Sequence, residues 1–467
     1  MNVELPNLRQ NDVVKINRDA NFNGALAIVR ELQDAGYIAF FAGGCVRDWL
    51  LSRSPKDIDI ATSALPDEIL RRFPTSKPIG KAFGVVQVLL GDLSFEVATF
   101  RTDLSYKDGR RPEAIAFASP EEDAKRRDFG MNGVFYNPIE DKCIDFVGGL
   151  EDIRRKRLRA IGDPTQRFEE DYLRMLRALR FAATLSFTID RPTLSAIQTS
   201  AQRLAAISAE RIAPELTQIL IKSPRPGDGL KLLHKAGLLK VILPEVCALI
   251  GQEQPPTFHP EGDVFTHTMM MLNEMQHPTC TLAYAVLLHD IAKPATATVS
   301  IEPDGLERIR FNRHAQVGSE MSYDILWRLR LPNQHIGAIT HCVRNHMKFM
   351  EVQHMKDSTL RKLIGAKTFP IELELHRLDC LCSNGNLENH AFLLRYIDEI
   401  RHKPVLPKRW IDGHDIMRLG VEPGPDVGHW LKIAYDAQLD ETFKNKTDLL
   451  GWLREQISPP DSSVTAR

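Results

Sequence analysis

Several things are scarce or missing in this chain, and each absence excludes something. There is no apolar run long enough to span a bilayer, which excludes a helical membrane protein. The Asn- and Asp-bearing start, with no apolar core behind it, does not read as a signal peptide. Seven cysteines form an odd set without framework spacing, which argues against a disulfide scaffold and for a reducing cytoplasm. No repeat or low-complexity segment suggests a scaffold role. A net charge of −1 removes whole-molecule attraction to nucleic acid. Histidine is missing from the front: none of the 15 precedes His234, and most lie between His259 and His402. That asymmetry points to a front and a back module with separate chemistry. At 467 residues, two to four domains are expected.

The front module's most informative stretch runs from Phe41 to Ile60. It reads as a strand ending at Gly43-Gly44, a short helix carrying Arg47 and Asp48, then a second strand carrying Asp57 and Asp59. Residues two apart on a strand project from one face, so Asp57 and Asp59 set two carboxylates side by side. Like charges this close repel unless a cation lies between them. A divalent ion on oxygen ligands resolves the repulsion, and a triphosphate is its natural guest. Gly43 and Gly44 let backbone N–H groups approach phosphate closely, and Arg47 can reach the same oxygens. The segment points to nucleotidyl transfer. Strand-like runs follow at Val85–Leu90 and Phe95–Phe100. Glu96, in the second run, is either a third carboxylate for the metals or a polar edge residue.

Further on, Arg126, Arg127, Asp128 and Asn132 come together. The arginines suit a triphosphate, and Asp128 or Asn132 suits a ribose hydroxyl; a charged helix start, capped by Asp, is the other reading. Between Glu169 and Phe181 the periodicity predicts one helix. Tyr172, Met175, Leu176 and Leu179 fall on one arc, and Glu170, Asp171, Arg174 and Arg177 on the other. Such an arc is either a solvated face with i,i+4 ion pairs or a base reader. Cytosine and adenine both present an amino donor beside a ring-nitrogen acceptor, which a carboxylate next to an arginine matches. Uracil and guanine reverse that polarity. Each mispaired buried group costs roughly 1–3 kcal/mol, so two exclude the wrong base by about 10²–10⁴-fold. Residues 151–240 hold 17 Lys and Arg against 10 Asp and Glu, densest at Arg154, Arg155, Lys156, Arg157 and Arg159. Beside a nucleotide site this block suits an RNA phosphate backbone.

Over residues 25–250 the chain resembles the class II tRNA nucleotidyltransferases, the bacterial CCA-adding and poly(A) polymerase family. The resemblance rests on five motifs in order. These are Gly43-Gly44 through Arg47-Asp48 to Asp57-x-Asp59, then Arg126-Arg127-Asp128-Phe129 to Asn132, then Asp145 to Asp152. The last two are Glu170-Asp171-x-x-Arg174, with Arg177 following, and Glu210-Arg211 through Glu215-Leu216. It implies Asp57 and Asp59 as the catalytic, Mg²⁺-binding pair. Gly43, Gly44, Arg47, Arg127, Asp128, Asn132, Glu170, Asp171, Arg174 and Arg177 become nucleotide-binding residues. The third motif is implied to be a hinge between head and neck. One departure stands out: Gly130, Met131 and Gly133 occupy positions where the family usually has Thr, Ile and Ala. The loop Arg101–Pro112, with Asp103, Arg110 and Arg111, resembles the flexible loop needed for the switch to ATP.

In the back module, His267 lies upstream of His289-Asp290, which ends the apolar run Ala283–Leu288. With Asp379 downstream, the pattern resembles the HD phosphohydrolases, and imidazole with carboxylate suits a divalent transition metal. The resemblance implies a site of His267, His289, Asp290 and Asp379 for Mn²⁺, Ni²⁺ or Mg²⁺, with His314 and His346 assisting a bound phosphate.

The expected fold is α+β: a nucleotidyltransferase head with a mixed sheet of about five strands, then an all-α neck and body including an HD-type domain. The expected division is 1–150 for the head, 151–250 for the neck, 251–385 for the HD domain and 386–467 for a helical tail. The expected function is template-independent CCA addition to a tRNA acceptor end from CTP and ATP, in the cytoplasm. An enzyme adding only A, or an HD hydrolase with a non-catalytic front module, are the alternatives.

Overall fold

The computed structural model describes residues 18–80, 83–103, 115–255, 259–301 and 307–457. The chain forms two compact units, Met1–Cys247 and Ala248–Arg467.

The front unit begins with α1 (Ala20–Asp34), β1 (Ala39–Ala42), α2 (Gly44–Leu50), β2 (Asp59–Thr62) and α3 (Pro66–Arg72). Then come β3 (Lys77–Gly80), β4 (Val85–Leu90), β5 (Leu93–Thr99) and a hairpin of β6 (Arg101–Asp103) with β7 (Ile115–Phe117). After α4 (Pro120–Lys125), β8 (Val134–Asn137) and β9 (Lys142–Asp145) complete a seven-stranded sheet in the order β3-β4-β5-β2-β1-β8-β9. Only β2 and β5 run parallel; the other neighbours are antiparallel. Seven strands exceed the five or so expected. The edges β3 and β9 are four residues each, too short for alternation to register in the sequence.

Strand alternation sorts the sheet into two buried faces. Phe41, Ile60, Val86, Val88, Phe95 and Val97 pack beneath α1, where Phe22 meets Phe41 and Trp49 edge-on at 5.6 and 6.0 Å. Ala42, Ala61, Phe100 and Phe135 bury the opposite face. Ile58 and Ile60 are buried in the first core, so Asp59, which starts the strand, projects from the second face. The strand itself starts at Asp59; Asp57 lies just ahead of it rather than within it.

The unit continues with α5 (Gly149–Arg154), β10 (Arg157–Leu158), α6 (Pro164–Glu170), α7 (Leu173–Leu185), β11 (Thr188–Ile189) and α8 (Arg191–Ser200). It ends with α9 (Ala209–Lys222), α10 (Pro226–Lys235), α11 (Leu238–Ile242) and α12 (Pro244–Cys247). One helix was expected across Glu169–Phe181; there are two. Asp171 is extended, with φ −155° and ψ 105°, and its Oδ1 accepts from the Leu173 N–H at 3.0 Å. A short carboxylate that takes backbone N–H groups competes with the helix it sits in. The apolar arc survives the break: Met175, Leu176 and Leu179 are fully buried.

The back unit holds α13 (Val264–Glu274), α14 (Cys280–Leu288), α15 (Lys293–Thr296), the hairpin β12 (Ala297–Ile301) and β13 (Glu307–Phe311), α16 (His314–Arg328) and α17 (Asn333–Asn345). It closes with α18 (Asp357–Ile364), α19 (Phe369–Cys382), α20 (Glu388–Glu399), α21 (Gly413–Arg418), α22 (Pro425–Leu439) and α23 (Lys446–Ile457). The β12–β13 hairpin is the exception to an all-α body. Helix α14 is buried from Thr281 to Leu288, as its unbroken apolar sequence requires. Among the described residues, no helix is long and apolar enough to cross a membrane.

Candidate active sites

In the front unit a cleft of about 460 Å³ opens between the sheet and α7. Gly43, between β1 and α2, has φ +72°, a conformation that side chains disfavour. A Cβ there would come within 3.1 Å of Arg127 Nη1, so the glycine clears the space that the arginine enters. Gly44 starts α2 and lines the same cleft.

Asp59 faces this space; Asp57 is not among its lining residues and is largely exposed, 3.8 Å from Lys56. Glu96 sits on β5, the parallel neighbour of β2, one position before the Ile60–Val97 pair. Its alternation matches that of Asp59, so three carboxylates share one end of the sheet. The surrounding protein desolvates Asp59 and pushes it up to about 6; the Glu96 charge adds, Arg127 opposes, and Asp57 adds a little more. Burial does most to drive this carboxyl towards protonation and the like charges add to it, a cost that a cation would relieve. Asp59 and Glu96, with Asp57 ahead of the strand, supply the oxygen donors that a hard divalent cation takes.

Arg127 is held by Asp123, whose Oδ2 accepts from its Nε at 3.2 Å and Nη2 at 3.0 Å, and its guanidinium lies 5.1 Å from the Phe135 ring. Arg126 pairs with the other oxygen of Asp123 at 2.8 Å. Burial works against the Asp123 charge, but Arg127 and Arg126 outweigh it and hold the carboxyl below its ordinary range. Asp123 was not anticipated from the sequence; the signal was its place four residues before Arg127 on α4.

Asp128 is buried and central. Its Oδ1 accepts from Asn132 Nδ2 and the Phe129 N–H, both at 2.9 Å; Oδ2 accepts from Arg177 Nη2 at 2.7 Å and Nε at 3.0 Å. Burial opposes its charge, yet Arg177 and these hydrogen bonds bring it down to about 2. Arg47 donates to Asn132 Oδ1 at 2.9 Å and to Asp48 at 2.7 and 2.8 Å, over the Phe181 ring. Two of these bonds tie it to Asp48 and the third orients Asn132. Arg177 also lies 3.6 Å from Glu215 of the fifth motif, which is bonded to Arg180.

Asp171 and Arg174, expected to read the base, both line the cleft, and each is partnered to another residue. Glu170 binds Arg174, and Arg167 at 3.0 Å. Asp171 accepts from Arg211 Nη2 at 2.6 Å, across from α9. Arg211 was noted only within a neck motif; its side chain belongs to this site.

The basic block divides. Arg157 and Arg159 pair with the fully buried Asp152 at 2.6 and 2.8 Å, and Arg159 also donates to the Val147 carbonyl. They hold the junction after the sheet. Arg154, Arg155 and Lys156 are exposed on the surface, the two arginines near Glu151. The departure in the second motif has a local cause. A Cβ on Gly130 would strike Asp152, and one on Gly133 would come within 2.6 Å of Val147. Asp145, in the expected hinge, accepts from the backbone N–H groups of Val147, Gly148, Gly149 and Leu150 at 2.9–3.0 Å, a carboxylate-capped turn. Arg110 and Arg111 lie outside the described residues.

In the back unit, α13, α14, α16, α17 and α19 bring a second cluster together. His267 Nε2 lies 3.2 Å from Asp379, and His289 Nε2 lies 3.0 Å from Asp290. His314 and His346 join from the opposite side, with their Nε2 atoms 3.2 Å apart. His267, His289 and Asp379 form one group of closely spaced ligand atoms; Asp290, His314 and His346 form another. Burial opposes the His267 charge, but Asp379 and Glu261 push the ring up to about 9. Burial brings His346 down to about 4, the neutral form that ligates. The buried His289 Nε2 has no hydrogen-bond donor. This donor set fits a divalent transition metal. His259 and Glu261 were missed. Glu261 bridges them to the site, at 2.9 Å from His259 and 2.6 Å from His267 Nδ1.

Residues 39–159 match the poly(A) polymerase head domain, and residues 186–250 the probable RNA- and SrmB-binding site of polymerase A. A CCA-adding enzyme of Geobacillus sp. (strain WCH70) is 47% identical over 218 residues, 46% of this chain and 54% of the relative. The CCA-adding enzyme of Geobacillus stearothermophilus is 44% identical over 218 residues, with the same shares. The chain spans about half the length of the curated relatives it matches. A crystal structure of the Bacillus stearothermophilus CCA-adding enzyme in complex with CTP is similar at a TM-score of 0.73 and 26% identity. That match covers 94% of this chain and 98% of the other.

Proposed function

We propose that the front unit, a member of the poly(A) polymerase head-domain family, is a template-independent nucleotidyltransferase that adds or repairs the 3′-terminal CCA of tRNA from CTP and ATP. The observation that carries this is one cleft lined by the Asp59 carboxylate together with Asp171 and Arg174. The RNA 3′-hydroxyl attacks the nucleotide α-phosphate, its proton leaves, and the α–β bond breaks to release pyrophosphate. Two Mg²⁺ ions on Asp57 and Asp59 would supply neutralisation of the leaving group and a more acidic 3′-hydroxyl. Arg127, held in place by Asp123, neutralises the triphosphate, and Gly43 and Gly44 let the backbone approach it. Arg47 and Asp128 fix Asn132 for a ribose hydroxyl. Asp171 accepts from the exocyclic amine of C or A, and Arg174, held by Glu170, donates to the ring nitrogen. Arg154, Arg155 and Lys156 contact acceptor-stem phosphates without reading sequence.

In the back unit, residues 251–385 act as a metal-dependent phosphohydrolase on His267, His289, Asp290 and Asp379, with 386–467 as a helical tail. A reducing cytoplasm suits seven cysteines, none in a disulfide among the described residues.

The test supplies tRNA lacking CCA, lacking A, or complete, with labelled CTP and ATP. Incorporation of two C and one A is expected. ATP incorporation without CTP would make it an A-adding enzyme, and unchanged incorporation by Asp57→Ala and Asp59→Ala would overturn the metal assignment.

A further inference from the structure

Arg167, in the last turn of α6, hydrogen-bonds in four directions. Its Nε donates to the Ile161 carbonyl at 3.2 Å and its Nη2 to the Lys125 carbonyl at 2.8 Å. Its Nη1 donates to the Arg126 carbonyl at 3.1 Å and to Glu170 Oε2 at 3.0 Å. The side chain is 15% exposed, so water competes little for these bonds. A planar guanidinium fixes its acceptors relative to one another, which a lysine ammonium does not. Arg167 is not among the residues lining the cleft, so whatever it does for the reaction passes through others.

The acceptors support different parts of the cleft. Lys125 and Arg126 close α4, where the last carbonyls of a helix lack partners within it. The same helix carries Asp123, whose carboxylate holds Arg127 in the cleft. Ile161 donates its own N–H to the Asp128 carbonyl at 3.2 Å, and the Asp128 side chain holds Asn132. Glu170 Oε2 also accepts from Arg174, and Arg174 Nη1 donates to the Arg167 carbonyl at 3.0 Å. The groups proposed for triphosphate, ribose and base therefore all lean on one guanidinium.

We infer that Arg167 is a positioning residue that makes base recognition a condition for aligning the triphosphate, an assignment that rests on the nucleotidyltransferase reading and deepens it. Cytosine leaves Arg174 in place, because its bare ring nitrogen accepts from the guanidinium. Uracil presents N–H at that position, a donor against a donor, and displaces the arginine. Arg174 then carries Glu170 and Arg167 with it, and Arg167 carries the end of α4 and so Arg127. A shift of about 1 Å at a reacting group costs on the order of 10²-fold in rate. The wrong base is thus penalised in the rate of transfer and not only in binding.

The test measures single-turnover addition to tRNA lacking CCA by the full chain, with CTP or UTP over a concentration series. Such series separate the maximal rate from the half-saturating nucleotide concentration. In the parent, the maximal rate with UTP should lie at least about tenfold below that with CTP. Arg167→Gln should lower the CTP rate about tenfold, leave the UTP rate within about twofold, and keep the ratio of half-saturating concentrations. Arg167→Lys keeps the charge without the fork and should recover only part of the CTP rate. An equal fall with both nucleotides would make Arg167 a packing residue and overturn the coupling, as would an unchanged CTP rate. If Arg167→Gln melts below the assay temperature, the parent's own rates decide: equal maximal rates with CTP and UTP would overturn the coupling. No addition by the parent with either nucleotide would overturn the nucleotidyltransferase reading itself.

Discussion

Asp59 is the residue where function and stability pull in opposite directions. Its carboxyl is raised to about 6 by desolvation, Glu96 and Asp57, against Arg127. Its ordinary value is about 4, so the folded state binds the proton more tightly than the unfolded chain. The resulting cost to folding is absent below pH 4 or so, grows as pH rises through 6, and is fully present above it. Asp59→Asn should therefore raise the melting temperature at pH 7.5 without Mg²⁺, and Mg²⁺ should stabilise the parent more than the variant. A lower melting temperature for the variant would contradict this. Asp128 has the opposite sign. Depressed to about 2 beside Arg177, it contributes stability that is full above pH 4 and lost as pH falls through 2. Asp128→Asn should lose about 2 kcal/mol in urea unfolding at pH 7, with the gap to the parent closing between pH 4 and 2. Both carboxylates were legible in the sequence, since alternation and motif order mark them. Asp123 was not, because an acid in the first turn of a helix usually serves only the helix.

At the scale of elements, the interruption between α6 and α7 matters most. Apolar spacing continues across it, so periodicity alone predicts one helix; the competing carboxylate–backbone hydrogen bond at Asp171 decides otherwise. The break frees Asp171 from the arginine-bearing face and gives it a partner 40 residues away, Arg211 on α9. A pairing across that separation leaves no periodic trace in the sequence, which is why Arg211 stood out only as part of the fifth motif. Its guanidinium holds the carboxylate that, in the proposed reading, accepts from the base. Arg211→Ala should leave turnover with saturating CTP within a few-fold, raise KM, and lower CTP-over-UTP discrimination roughly tenfold, about 1.4 kcal/mol. Arg211→Lys should restore part of it. Steady-state incorporation with each nucleotide checks this; intact discrimination in Arg211→Ala would assign the residue to packing alone. The same scale accounts for the second-motif glycines. Asp152, with Arg157 and Arg159, fills the space a side chain at Gly130 would need.

At the scale of the whole molecule, the uneven distribution of histidine separates two chemistries. The front unit places carboxylates and arginines around its cleft, and the back unit surrounds Asp290 and Asp379 with imidazole. The paired His289-Asp290 after a buried helix was readable, because an ionisable pair at the end of an apolar run needs a reason to be there. His259 and Glu261 were not, since a His-x-Glu in a loop carries no periodic signal. Two separate donor sets predict two separable activities. Asp379→Ala removes a carboxylate from the histidine cluster of the back unit, so CTP and ATP incorporation should stay within about twofold. Metal-dependent hydrolysis of 2′,3′-cyclic nucleotides should vanish in the same variant. Asp57→Ala should do the reverse, abolishing incorporation and sparing hydrolysis. Parallel assays on the two variants decide the matter: loss of both activities in either one would mean that the two chemistries depend on each other.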